Sequence, residues 1–139
     1  MLRPSSRRKP SISAISLQTI QDRIHTIRGR RVIVDTDLAN LYGVTTRRLN
    51  EQVRRNKGRF PQDFAFLLTP MEVTNLKSQI ATPSSSWGGR RKLPHVFTGH
   101  GVLMAANVLN SSVAVQVSVH VVRAFIACMD GSHFDYAGR

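Results

Sequence analysis

Asp37-Leu38-Ala39-Asn40-Leu41-Tyr42-Gly43-Val44-Thr45-Thr46-Arg47-Arg48-Leu49-Asn50-Glu51-Gln52-Val53-Arg54-Arg55-Asn56 is the stretch from which the rest of the chain can be read. Leu38, Leu41 and Tyr42 fall at helical spacing and predict a short helix with one apolar face. Asp35, Thr36 or Asp37 can cap its start. Ala39 is small on the buried side, so a second helix can approach closely. Gly43 stands where a helix end needs positive φ, which glycine adopts at little cost. Val44 anchors the turn in the core. Thr45 or Thr46 can cap a second helix in which Leu49 and Val53, four apart, face inward. Arg47, Glu51, Arg54 and Arg55 project from its other side, flanked by Arg48 and Asn50. Two helices joined by a short glycine-containing turn make a helix-turn-helix pattern.

The outward residue types match the edges of DNA bases. Arginine can grip guanine in a bidentate fork, asparagine does the same for adenine, and a carboxylate accepts from the cytosine amine. A second helix of this kind reads bases with its N-terminal half. The expected base-reading set is therefore Thr45, Thr46, Arg47, Asn50, Glu51 and Arg54. Arg48, Arg55, Lys57 and Arg59 extend the basic surface toward phosphates, together with Arg90, Arg91 and Lys92 farther on. The plainer alternative is a helical hairpin whose basic face is merely solvated.

Composition narrows the partners. The chain has 139 residues, enough for one domain with a real core. Twenty basic side chains stand against eight acidic ones, for a net charge of +12. That excess points to a polyanion, nucleic acid before an anionic membrane surface. No apolar run is long enough to span a bilayer, and no signal-peptide segment follows the basic start. A single cysteine, Cys128, excludes an internal disulfide and fits a reducing cytoplasm.

Around the central stretch the remaining elements follow in order. Residues 1–14 form a basic, proline- and serine-containing arm, expected to be flexible. Ile20, Ile24 and Ile27 predict a short amphipathic helix over Ile15 to Ile27, with a strand start as the rival reading. Arg28-Gly29-Arg30 reads as a turn, and Arg31 to Asp35 as a strand. Gly58 ends the second helix and Pro61 forbids its continuation. Phe64 to Leu68 reads as a strand with Leu67 on the opposite face from Phe64, Phe66 and Leu68. Thr69-Pro70-Met71-Glu72 is a capping box that opens a helix running to about Ile80, with Val73, Leu76 and Ile80 inward. Ala81 to Lys92 is a Ser/Gly-rich loop containing Trp87. Leu93 to Phe97 reads as a strand, placed at a sheet edge by Pro94. Thr98 caps a core helix ending at Leu109, whose first turn Gly99 and Gly101 weaken. Asn110 to Ser112 is a break. Val113 to Met129 is valine-rich, but its length and the spacing of Val115, Val119, Val122 and Ile126 favour a helix. Residues 130–139 are a polar tail, expected to be flexible.

Assembled in order, these pieces resemble a known family. The matching segments include Ile27-Arg28-Gly29, Val32-Ile33-Val34-Asp35-Thr36-Asp37-Leu38-Ala39, Leu41-Tyr42-Gly43-Val44 and Leu49-Asn50. They continue through Arg59-Phe60-Pro61, Asp63-Phe64, Leu68-Thr69, Gly89-Arg90-Arg91, Leu93-Pro94, Phe97-Thr98, Gly101-Val102 and Val108-Leu109-Asn110-Ser111. The series resembles the phage ORF-six-N DNA-binding domain, a relative of the KilA-N and BRO-N domains. The resemblance implies a compact α+β domain over residues 15–129, with a helix-turn-helix, a small antiparallel sheet and C-terminal helices. It implies double-stranded DNA as partner and a phage or prophage regulatory role of antirepressor type, without catalysis. Where the family has Thr-Glu-Gln-Gly, this chain has Thr98-Gly99-His100-Gly101, so a looser helix start is expected there. Many relatives carry a second domain, so the chain reads as a domain fragment or a short stand-alone binder.

Other function classes fit less well. The five histidines are scattered, none beside a carboxylate or cysteine at metal-ligand spacing, so no metal or other cofactor is expected. There is no glycine-rich phosphate loop with its lysine, and the acids are too dispersed for nuclease chemistry. RNA binding lacks an aromatic stacking platform. A protein-binding antirepressor module, or a nucleic-acid binder without sequence readout, is the remaining alternative. A homodimer and a phage or host regulatory protein are possible further partners.

Overall fold

The computed structural model describes residues 16–79 and 92–131. The expectations for the N-terminal arm, Ile80, Trp87, Arg90, Arg91 and the tail beyond 131 lie outside those residues. The chain runs α1 (Leu17–Gln21), β1 (Ile24–Ile27), β2 (Arg30–Val34), α2 (Asp35–Tyr42), α3 (Thr46–Arg55), a 3-10 turn (Lys57–Arg59), β3 (Ala65–Leu67), α4 (Pro70–Gln79), β4 (His95–Phe97), α5 (Gly99–Leu109) and α6 (Ser112–Gly131). The class is α+β, with a small antiparallel sheet, as expected.

The helix expected over Ile15 to Ile27 splits in two. Only Leu17–Gln21 is helical, and Ile24–Ile27 pairs with β2, Ile24 opposite Ile33 and Ile27 opposite Arg30. Arg28 at φ 56° and Gly29 at φ 75° form the two-residue connection. Two consecutive positive φ values match the right-handed twist of a hairpin, and that pairing captures the residues from a helix.

Pro94 does not mark an edge strand. The strand order is β1-β2-β4-β3, which puts β4 inside the sheet. Pro94 lies just before the strand, where no ladder donor is needed, and its carbonyl accepts from Leu68 N at 3.0 Å. Alternation along the strands then feeds two cores. Ile33, Ala65 and Phe97 join Ile20, Leu38, Tyr42, Leu49, Val102, Val117 and Val121, so α1, α2, α3, α5 and α6 share one cluster. Val32, Val34, Phe66 and Val96 point the other way and are covered by Leu68 and by Leu76 of α4.

The local caps form as read. Thr69 N donates to Glu72 Oε1 at 2.9 Å while Glu72 N donates to Thr69 Oγ1 at 3.2 Å, a closed capping box. Thr98 Oγ1 accepts from Gly101 N at 3.3 Å and opens α5 already at Gly99. His100 stacks on Phe64 with centroids 5.4 Å apart. At α6 the helix is present, but the spacing that reveals it follows the wrong flank. Ala114, Val117, Val121, Ala124 and Phe125 are buried, while Val115, Val119 and Ile126 are about half exposed.

Candidate nucleic-acid interface

Gly43 ends α2 in the left-handed conformation at φ 72°, and Val44 N returns to Ala39 O at 3.0 Å. Thr45 then caps α3, its hydroxyl oxygen accepting from Arg48 N at 3.0 Å. Leu49 and Val53 are buried in the main core and fix which side of α3 faces inward. The helix turns about 100° per residue, so Arg47, Arg48, Arg54 and Arg55 must emerge on the opposite side, and all four are exposed. Thr46 and Gln52 are half-buried at its margins, and Glu51, on the outward side, is half-buried as well.

Asn56 closes α3, its Nδ2 donating to Gln52 O at 2.8 Å. The helix thus stops at Asn56, two residues before the glycine expected to end it. Lys57 and Arg59 follow on the 3-10 turn, both exposed. Phe60 secures that turn by packing edge-on against Phe97, centroids 6.2 Å apart.

Electrostatics set this surface apart. The ion pairs Arg23–Asp37 at 2.7 Å and Arg28–Glu72 at 2.8 Å both lie elsewhere. The side chains of Arg47, Arg48, Arg54, Arg55, Lys57 and Arg59 take no protein partner among the described residues. Glu51 is the single acid over this span. Six exposed cations within thirteen residues, with the positive end of the α3 dipole beside Thr45, make this segment strongly positive. Lys92 is also exposed. Half-buried His25 adds no charge at neutral pH, since burial lowers its pKa against the opposing pull of Asp37.

Asn50 departs from its expected place. It turns to the protein, its Nδ2 donating to Asp35 Oδ2 at 2.9 Å, and its Oδ1 is enclosed. The helical wheel sets Asn50 on the flank between the core and the outward arginines, and there a buried carboxylate captures it. Asp35 is the residue that sequence reasoning misjudged. Its position suggests a local cap for α2, but the N-cap is Val34, with no side-chain bond. Asp35 is instead wholly buried and also accepts from His95 N at 3.2 Å. The one signal in sequence is an acid directly after a β-branched strand, which does not reveal partners 15 and 60 positions away.

Among the described residues no three or more His, Cys, Asp or Glu side chains gather to hold a metal ion, and no helix is long and apolar enough to cross a membrane. The family model described as the ORF6N domain matches residues 22–108, from the start of the hairpin through nearly all of α5. No curated protein and no solved structure matches the chain.

Proposed function

The chain belongs to the ORF6N domain family, and from that premise we propose that it binds double-stranded DNA with sequence preference, α3 entering the major groove. The family is of a phage-type regulatory, non-catalytic kind. The observation that carries the reading is the exposed cationic face of α3 and its following turn, which takes no partner among the described residues and is held outward by buried Leu49 and Val53.

A free surface guanidinium loses little on approaching a phosphate or a base edge, because no ion pair must first be broken. Arg47, Glu51 and Arg54, with Thr45 and Thr46 at the leading end, read base edges. Arg48, Arg55, Lys57 and Arg59 contact phosphates, assisted by Arg90, Arg91 and Lys92. In this role the helix, turn and helix of residues 35–55 act as a helix-turn-helix, and the bound domain regulates a phage or prophage gene.

Duplex DNA binding at two salt concentrations, with selection from a random-sequence pool, tests the proposal. Each phosphate contact contributes a slope of about −0.9 in log K against log salt. A steep slope and an enriched motif are the expected result. A steep slope without a motif leaves a binder with no sequence readout. Absence of binding at low salt overturns the reading and turns attention to a protein partner.

A further inference from the structure

We propose that Asn50 is a positioning residue for α3, acting through Asp35, and not a base reader; the inference rests on the DNA-reading role of α3 above. Asp35 Oδ2 accepts from Asn50 Nδ2 at 2.9 Å and from His95 N at 3.2 Å. One buried carboxylate therefore ties the first turn of α2 to the middle of α3 and to the start of the interior strand β4. A carboxylate is kept inside a protein by such donors, and bonds to it are shorter and stronger than neutral ones. The amide of Asn50 has one workable orientation. Its Oδ1 is enclosed with no protein partner among the described residues, and turning the amide over would set that oxygen against the Asp35 carboxylate.

The geometry gives this tether a consequence for recognition. Leu49 and Val53 are apolar and non-directional, so they set which side of α3 faces in but resist small rotations weakly. The Asn50 bond is directional and sits on the flank, where it resists rotation. Arg47 lies three residues before Asn50 and Arg54 four after, so both turn with it. Side-chain tips stand roughly 5–6 Å from a helix axis, so a rotation of about 20° moves them by about 2 Å. That displacement is enough to break a bidentate contact, whose length tolerance is only a few tenths of an ångström.

The test exchanges the two groups. Asp35→Asn, Asn50→Asp, Asn50→Ala and the double variant Asp35→Asn/Asn50→Asp are compared with the parent by thermal unfolding and by the motif each enriches from random duplex DNA. The single variants should lower Tm and blur the motif across several positions. The double variant sets an amide at position 35 against a carboxylate at position 50 and restores the link to α3, while His95 N loses its acceptor because the single atom Asp35 Oδ2 serves both donors in the parent; it should recover part of the Tm and sharpen the motif relative to Asn50→Asp. A double variant that recovers part of the Tm but loses preference at one base pair would show that Asn50 reads a base. A double variant that recovers neither, or single variants that match the parent in both, would overturn the tether. A parent that enriches no motif would sink the DNA reading alone, because the Tm comparison still decides the Asp35–Asn50 link.

Discussion

The hydroxyl of Tyr42 donates to the backbone carbonyl oxygen of Val102 at 2.8 Å, joining α2 to α5 across sixty residues of sequence. Both residues are almost fully buried, and burial pushes the phenol ionisation of Tyr42 well above its ordinary value. Tyr42→Phe keeps the packing and removes the bond, so it should lower unfolding free energy by about 1 kcal/mol, read from urea midpoints. In the parent, phenolate absorbance for Tyr42 should appear only on unfolding. The unfolded chain ionises the phenol near its usual pKa of about 10, so this contribution to stability is complete below that pH and is lost above it.

Gly101 lies against the backbone of Phe64, where an added Cβ would collide with the carbonyl oxygen. The neighbour is backbone held by Thr98 N at 3.0 Å, so it cannot swing aside. Gly101→Ala should therefore destabilise by about 1–3 kcal/mol, the usual range for overpacking, despite alanine's better helix propensity. Gly58→Ala has open space and serves as the control. Guanidinium midpoints of the two variants should differ clearly, and equal midpoints would contradict the close approach.

Glu72 closes the α4 capping box and takes a two-pronged bond from Arg28, Nε to Oε2 at 2.8 Å and an Nη to Oε1 at 3.0 Å. The Arg28 guanidinium, helped by the donors of Thr69, holds its carboxyl down at about 2 against an ordinary 4.5. A depressed acid stabilises the fold above its unfolded pKa and ceases to do so as pH falls through the folded one. Glu72→Gln should thus lower Tm at pH 6 to 7 by the small amount typical of a surface pair, under about 1 kcal/mol. The gap from the parent should narrow as pH falls from 4.5 toward 2, as thermal scans across that window would reveal. A gap that widens on acidification would reverse the sign and refute the assignment.

Within the cationic face the proposed roles separate by readout. Arg47→Ala or Arg54→Ala should relax preference at particular base pairs, by about 1–3 kcal/mol of discrimination each. Arg55→Ala or Lys57→Ala should weaken all duplexes alike and lower the salt slope by about one unit. Arg47 and Arg54 variants that keep the parent's full motif would displace α3 as the reading helix.

On α6, Val121 is wholly buried and Val119 is 44% exposed. Threonine matches valine in size, so Val121→Thr isolates the cost of burying a hydroxyl, about 1–3 kcal/mol. Val119→Thr should stay within about 0.5 kcal/mol of the parent. Calorimetric scans of the two variants check which flank of the helix meets the core.

The sequence by itself determined the features whose causes are local. The Thr45 and Thr98 caps, the Thr69–Glu72 box, the left-handed Gly43 and the inward pair Leu49 and Val53 each depend on residues within a few positions of one another. The outward arginines of α3 followed from the same periodicity. Tertiary structure decided what depends on distant partners. Ile24 to Ile27 became a strand because Arg30 to Ile33 lay across a two-residue turn to pair with it. Pro94 came to precede an interior strand because β2 and β3 closed on either side of β4. Valines run around most of α6, so periodicity could not say which of them α1, α2 and α5 would cover. Asn50 has the chemistry of a base reader, but a buried carboxylate fifteen residues upstream claims its amide. A side chain's type limits which bonds it can form, and only the fold decides which partner reaches it first.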